Sequence, residues 1–438
     1  MIKSKKVYIA MASDFLHHGH VNIIEKAAEY GDLTIGLLTD RAIASYKRVP
    51  FLDFKDRSKI LMSIKSVKKV IPQQSLDYTE NLIKIKPDFV LHGDDWKNGV
   101  QKETRNKVIK TLKKWNGKLI EIPYTENISS TKILNEFLSN GSTADIRIGK
   151  LRRYLQVKKC IKLIEVHSGL SGLVAEKSFV QHKNGNVSYF DGFWSSSLVD
   201  STVRGKPDNE SVSLTDRVRT INEIFEVTSK PLIYDGDNGG TTDIIPYTIR
   251  TLERTGVSGI IIEDKKGIKR NSLFGTKAKQ NQDSIENFSK KIKAAKKSQI
   301  TEEFVVIARV ESLILKQGMK DALKRSYAYV KAGADGIMIH SSQQSPEEIK
   351  QFCREFRRKN SETYLIVVPT TYNSIYESEL EKLGVNVIIY ANQLIRSIYP
   401  AMQKTSELIL KNGRSKEASK YLTKVKEIIN LIPFASDN

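Results

Sequence analysis

The chain reads as an α/β protein: a doubly wound parallel sheet first, then a closed (β/α)8 barrel. Three observations lead there. Short apolar runs alternate with amphipathic stretches along most of the 438 residues, the rhythm left by parallel strands joined by helical crossovers. The rhythm breaks at Ser139-Asn140-Gly141-Ser142-Thr143, a run of turn formers that reads as a linker. Five strand-like runs precede the break and eight follow it.

The five early runs are 6–11, 33–38, 68–71, 88–92 and 118–122, with amphipathic segments near 20–30, 54–65, 78–86, 100–115 and 130–138 after them. Five such units predict a Rossmann-like sheet over residues 1–140. The later runs are 161–166, 190–194, 231–235, 257–263, 304–310, 336–340, 364–369 and 386–391. Eight units predict a barrel over 150–438, closed or oligomerised by a helical segment from about 393 to 431.

Composition bounds the function. The chain is 39% hydrophobic and 28% charged, with 71 basic and 50 acidic residues and a net charge of +21. Anionic partners are expected. Nucleic acid is one class, and a basic nucleic-acid-binding module is the non-enzyme alternative. However, the cations are spread along the chain and no recognition-helix or zinc-finger signature occurs, so small phosphorylated molecules are the expected partners and nucleic acid is not. No apolar run approaches the roughly 20 residues that span a bilayer. The opening MIKSKKVYIAMASDF reads as a first strand and not a secretory signal. Cys160 and Cys353 are the two cysteines, too few for a disulfide framework, and a reducing cytoplasm fits.

A barrel places its chemistry at the C-terminal ends of its strands. Those ends carry Trp194, Ser195, Ser196 and Ser197, then Asp235 and Asp237, Glu263, Arg309 and Glu311, His340 and Thr370. In Asp235-Gly236-Asp237, two acids at i, i+2 point the same way if the strand continues that far. With Asp208 and Glu263 they could form an oxygen-only site suited to Mg²⁺; a solvated turn is the plain alternative. Arg309 could grip an oxyanion with its planar fork, or simply pair with Glu311. His340 could touch a ligand or bond to backbone. The run Ile262–Ser272 (IEDKKGIKRNS) could be a solvated loop or a lid over an anionic substrate.

In the first half, His17-His18-Gly19-His20 follows the first strand. This puts two imidazoles at a helix N-terminus, where oriented N–H groups favour phosphate. Lys47, Gly93-Asp94-Asp95-Trp96 and Ser129-Ser130-Thr131 follow in order.

These residues resemble two families. FDGFWSSSL, Asp208, DGD, EDK-x3-KRNS, ARVES, IMIHS and VPT are similar to the phosphoenolpyruvate mutase family of the isocitrate lyase superfamily. The resemblance implies conversion of phosphoenolpyruvate to phosphonopyruvate. Mg²⁺ would be held by Asp235, directly or through waters, with Asp208, Asp237 and Glu263 nearby. Ser196 and its neighbours Trp194, Ser195 and Ser197 would hold the carboxylate side, with Glu311 and Thr370 also lining the substrate. Arg309 and His340 would stabilise the phosphoryl group, and Lys269, Asn271 and Ser272 would lie on a gating loop. Phosphonopyruvate hydrolases share the barrel, but Asn271 is the mutase-type loop residue. Carbon–carbon lyases use a Lys-Lys-Cys-Gly-His-like lid; Lys158-Lys159-Cys160 here opens a strand and lacks the Gly-His.

HxGH, GDDW and ISST resemble the HxGH cytidylyltransferases of the type related to glycerol-3-phosphate cytidylyltransferase. The resemblance implies attack of a phosphate or phosphonate oxygen on CTP, with His17 and His20 at the reacting phosphorus and Lys47, Asp94, Ser129, Ser130 and Thr131 on the nucleotide. Two positions depart from that family: Met11-Ala12-Ser13-Asp14 stands for its GTFD, and Tyr124 for its arginine. Together the resemblances imply a bifunctional enzyme of phosphonate biosynthesis, forming a dimer or tetramer.

Overall fold

The computed structural model describes residues 4–97, 101–123, 142–182, 187–267, 269–272 and 280–432. The first sheet contains β1 (Lys6–Met11), β2 (Asp32–Leu38), β3 (Lys69–Gln73), β4 (Phe89–Gly93) and β5 (Lys118–Ile122). All neighbours are parallel, in the order β3-β2-β1-β4-β5. Val7, Ile9, Leu33, Ile35 and Leu91 form one buried layer with helix His18–Ala28. Tyr8 and Val90, of opposite parity, pack with Leu82, Trp96 and Val108 on the other side. The strand order reverses between β1 and β4, the crevice where doubly wound sheets receive ligands. The chain leaves β1 into the histidine turn and leaves β4 into Asp94–Lys97. The amphipathic segment expected at 130–138 lies outside the described residues.

Helix Ala144–Val157 comes next. It was not expected, and it decides how the chain is joined. Its Leu151 and Leu155 pack against Ile161, Leu163, Val305 and Val387, so it plugs the lower end of the structure that follows. That structure is the closed barrel. Its strands are β6 (Ile161–Glu165), β9 (Gly192–Ser195), β10 (Leu232–Asp235), β11 (Gly259–Glu263), β14 (Val305–Val310), β15 (Gly336–Ile339), β16 (Tyr364–Val367) and β17 (Val387–Tyr390). The circuit closes through β17 to β6 and β6 to β9. Two short hairpins decorate it: β7 (Phe179–Gln181) with β8 (Val187–Tyr189), and β12 (Lys265–Lys266) with β13 (Asn281–Gln282).

The side-chain alternation of the strands explains the site. Ile161, Leu163, Trp194, Ile233, Ile261, Ile307, Met338, Ile366, Val368 and Ile389 fill the barrel interior. One step further along each strand with the same parity stand Glu165, Ser196, Asp235, Glu263, Arg309, His340, Thr370 and Ala391. The upper layer of the barrel is therefore almost wholly polar, above an apolar floor. The expected helix from 393 to 431 is corrected to a helix at Gln393–Asn412 and two short turns. Gly413, at φ 62°, ends the helix in the left-handed region.

Candidate active sites

The upper barrel layer surrounds a cavity of about 70 Å³, lined by Trp194, Ser196, Ser197, Asp208, Asp235, Glu263, Lys269, Asn271, Ser272, Arg309, His340 and Thr370 among others. Twelve of the residues expected from the sequence thus converge on one space. Three do not line it. Ser195 has the outward parity and donates to Asp200 Oδ2 at 3.0 Å. Asp237 departs from the expected geometry because β10 ends at Asp235 and Asp237 sits at φ 51°. The strand alternation fails there, and its carboxylate turns to Lys269 and to Arg217, whose Nη1 is 3.7 Å away. Glu311 lies beneath the wall: Arg309 Nε donates to its Oε1 at 2.5 Å and Ser272 Oγ to its Oε2 at 2.6 Å.

The run Lys269–Ser272 folds down over the cavity. Lys269 Nζ donates to Asp208 Oδ1 at 2.8 Å and also reaches Ser197 Oγ. Asn271 Nδ2 donates to Asp208 Oδ2 at 2.7 Å. Arg309 Nη2 donates to Ser272 Oγ at 2.7 Å. Two lysines of the run Ile262–Ser272 are thus buried at different places. Lys265, which the sequence did not single out, is buried with its Nζ 3.3 Å from Glu263 and bonded to Ser272 Oγ at 2.9 Å. Arg217 was also missed. It lies on the buried face of helix Leu214–Val227, donating to Asp200 Oδ2 at 2.7 Å and to the Asp235 carbonyl at 2.7 Å. An arginine at a core position of an amphipathic helix was the available signal.

The site is crowded with charge in a dry setting. Burial pushes Glu263 up to about 7, with Lys265 and Arg309 pulling the other way. Burial also raises Asp237. Burial would raise Asp235 too, but Lys269, Arg217 and Arg309 outweigh it and hold that carboxyl below its usual range. In the same way Arg309 and Lys265 bring Glu311 down to about 2. Burial and then Arg309 lower His340 to about 4, so its imidazole is neutral at pH 7. Its Nδ1 has no hydrogen-bond partner among the described residues. No three acidic, His or Cys side chains among the described residues form a ready-made metal cage. Asp208, Asp235, Glu263 and the serines nonetheless present a set of oxygen donors to the cavity. That set fits a hard cation such as Mg²⁺, which keeps waters and uses few carboxylates.

In the first unit, His17 precedes helix His18–Ala28, and its N–H faces His20 Nδ1 at 3.4 Å. The two rings lie 4.0 Å apart. Burial, His17 and Lys47 together bring His20 down to about 4, so Lys47 lies within electrostatic reach of the pair. Asp14 holds the segment after Lys47 in place, accepting from Phe51 N and Leu52 N at 3.0 Å each. Asp94 opens a single helical turn after β4, and His92 stacks on Trp96 at 3.8 Å. Ser129, Ser130, Thr131 and Tyr124 lie outside the described residues.

Comparison with known proteins gives two family matches. The model of phosphoenolpyruvate phosphomutase covers residues 151–410 and a cytidylyltransferase-like model covers residues 13–136. A phosphoenolpyruvate phosphomutase of Tetrahymena pyriformis is 34% identical over 283 residues, 64% of this chain and 90% of that protein. A phosphonopyruvate hydrolase of Variovorax sp. (strain Pal2) is 37% identical over 244 residues, 55% of this chain and 83% of that protein. A crystal structure of phosphonopyruvate hydrolase with oxalate and Mg²⁺ matches with a TM-score of 0.57 at 32% identity, covering 65% of this chain and 94% of that one.

Proposed function

The chain belongs to the phosphoenolpyruvate phosphomutase family, and on that premise we propose that its barrel converts phosphoenolpyruvate to phosphonopyruvate while the first unit transfers CMP from CTP to a phosphonate. One observation carries the barrel reading. Asn271, on the folded-down run, is tied to Asp208 at 2.7 Å over a cavity that also holds Arg309 and His340. A polar amide there, in place of open solvent, is what an intramolecular transfer needs.

The chemistry follows from the groups present. Ser196, Ser197 and the neighbouring backbone N–H groups hold the substrate carboxylate. Arg309 and the neutral His340 donate to the phosphoryl oxygens as the O–P bond breaks, leaving an enolate and a loosely bonded, metaphosphate-like group. Asn271 steadies that group while the enolate carbon turns to form the C–P bond. Mg²⁺, held by Asp235 directly or through waters with Asp208 and Glu263, would anchor the substrate oxygens and offset the enolate charge. The run Lys269–Ser272 keeps water away, since water would capture phosphorus and yield pyruvate and phosphate.

Hydrolysis is the second reading, favoured by the 37% identity to a phosphonopyruvate hydrolase. Phosphorus-31 NMR with phosphonopyruvate and Mg²⁺ separates them. Phosphoenolpyruvate as product supports the mutase; inorganic phosphate with pyruvate supports the hydrolase.

In the first unit, a phosphonate oxygen attacks the α-phosphorus of CTP and pyrophosphate leaves. Neutral His17 and His20 donate N–H groups to the crowded phosphorus, with the Lys47 ammonium beside them. The carboxyl-terminal arm supports self-association into a dimer or tetramer. Helix Gln393–Asn412 buries none of its residues and leaves Tyr399, Met402 and Leu410 exposed.

A further inference from the structure

A second and larger cavity, of about 390 Å³, lies where the first unit meets the lower end of the barrel. Its volume falls in the range of small-molecule sites. Its position is fixed by the topology. Asp191, Lys230 and Glu303 stand just before β9, β10 and β14, so they mark the end opposite the mutase cavity. Residues 48–51 form its wall on the other side. The joint is held by Arg153, which donates to the Pro50 carbonyl at 3.0 Å and to Asp40 at 3.3 Å, and by Tyr189, whose hydroxyl donates to the Lys47 carbonyl at 3.2 Å.

The charges in this space do not cancel among themselves. Asp191 is engaged by Lys158 at 2.6 Å, and Arg153 by Asp40. What remains is Arg48, Lys150 and Lys230 against Glu176 and the exposed Glu303, which lies 4.0 Å from Arg152. Lys150 Nζ is satisfied by the Ser229 carbonyl at 2.7 Å and Lys230 Nζ by the Glu176 carbonyl at 3.1 Å, neither of which neutralises a charge. Arg48 has no protein partner among the described residues. Burial, then Arg147, lowers Lys150 to about 8, and burial lowers Lys230. An anion among them would be favoured. Glu176 supplies the opposite end. Its Oε2 is buried without a hydrogen-bond partner among the described residues, while its Oε1 lies 3.9 Å from Lys230. Phe51 and Tyr154 give the space apolar walls.

The structure assigns to this interdomain cavity a small organic oxyanion that also carries an ammonium group, the oxyanion set among Arg48, Lys150 and Lys230 and the ammonium at Glu176. A buried acceptor with no donor and buried cations, of which Glu176 meets only Lys230, each cost stability when left alone. One zwitterion satisfies both. Its binding would also be felt in the first unit, because residues 48–51 continue the segment that Asp14 pins beside the histidine turn.

The test uses the full chain and two probes differing by one ammonium group, 2-aminoethylphosphonate and ethylphosphonate, titrated calorimetrically. The aminated probe is expected to bind at least about tenfold more tightly. Arg48→Ala and Lys150→Gln should each weaken both probes about tenfold, and Glu176→Gln should erase the difference between them. Asp235→Ala in the barrel and His20→Ala in the first unit should leave binding intact. Probe affinity lost in His20→Ala or Asp235→Ala and kept in Arg48→Ala would overturn the assignment by placing the probe in another site. Equal binding of the two probes to the unaltered chain would overturn the role of Glu176. Because the readout is binding and not turnover, its outcome is separate from that of the transfer and mutase assays.

Discussion

Lys269 and Asp208, 61 residues apart in sequence, meet at 2.8 Å above the barrel cavity. Both side chains are nearly buried, at 6% and 8% exposure. The same ammonium touches Asp237 and Ser197, so one residue fastens the covering run to three walls.

Loosening this fastening should change the fate of the phosphoryl group more than substrate binding. Asn271→Ala, which removes the amide from Asp208 and the cavity, is expected to lower C–P isomerisation about 100-fold. The share of phosphonopyruvate ending as pyruvate and phosphate should rise. Phosphorus-31 NMR of the product mixture measures the ratio; an unchanged ratio with reduced rate would show that Asn271 does not shield the phosphorus.

Asp235 accepts from Ser197 N and Oγ at 3.2 and 2.9 Å while its low proton affinity keeps it charged. Asp235→Asn should abolish detectable isomerisation and weaken Mn²⁺ binding, read by electron paramagnetic resonance, about tenfold or more. Mn²⁺ affinity equal to that of the unaltered chain would remove Asp235 from the cation site.

The two chemistries should be separable. His17→Ala and His20→Ala should each cut CTP-dependent pyrophosphate release about 100-fold or more. Isomerisation in the barrel should stay unchanged, because the histidine pair belongs to a different sheet with its own core. Coupled loss of both activities would argue against independent sites.

His340 gives a pH prediction with a definite sign. Its folded pKa of about 4 lies below its ordinary value of 6.5. The unfolded chain therefore takes up a proton first as pH falls. The stability linked to neutral His340 is complete above about 6.5 and is lost as pH drops through about 4, with a slope of at most about 1.4 kcal/mol per pH unit. His20 contributes in the same window. Denaturant titrations should show a shallower slope between pH 6.5 and 4 for His340→Gln; an unaltered slope would mean that His340 is solvated.

The exposed apolar face of Gln393–Asn412 predicts self-association. Leu410 is 83% exposed. Leu410→Lys with Tyr399→Glu should shift the sedimentation coefficient to that of a monomer, without loss of helicity. A chain already monomeric at micromolar concentration would contradict this.

The barrel strands were legible because buried parallel strands leave continuous apolar runs, as in Gly259–Glu263. Their polar ends pointed to a site, and twelve expected residues do meet there. Asp237 does not share the direction of Asp235 because the strand ends at Asp235 and Asp237 itself is left-handed, which no local pattern announces. Lys265 was hidden among neighbouring cations of identical type; only the fold reveals which lysine is buried. Helix Ala144–Val157 shows Ile148, Leu151 and Leu155 on one face, yet its interspersed arginines masked that stripe. Hairpin β7–β8 carries apolar residues such as Phe179 and Val180 on its surface, so periodicity gave no guide.

The Leu151 and Leu155 stopper closes the barrel on the side where the nucleotide-type sheet docks. Under the proposed function, a product released from the barrel cavity would therefore leave at the end away from the first sheet. One chain carries both family regions, so the two proposed sites would be made in equal number.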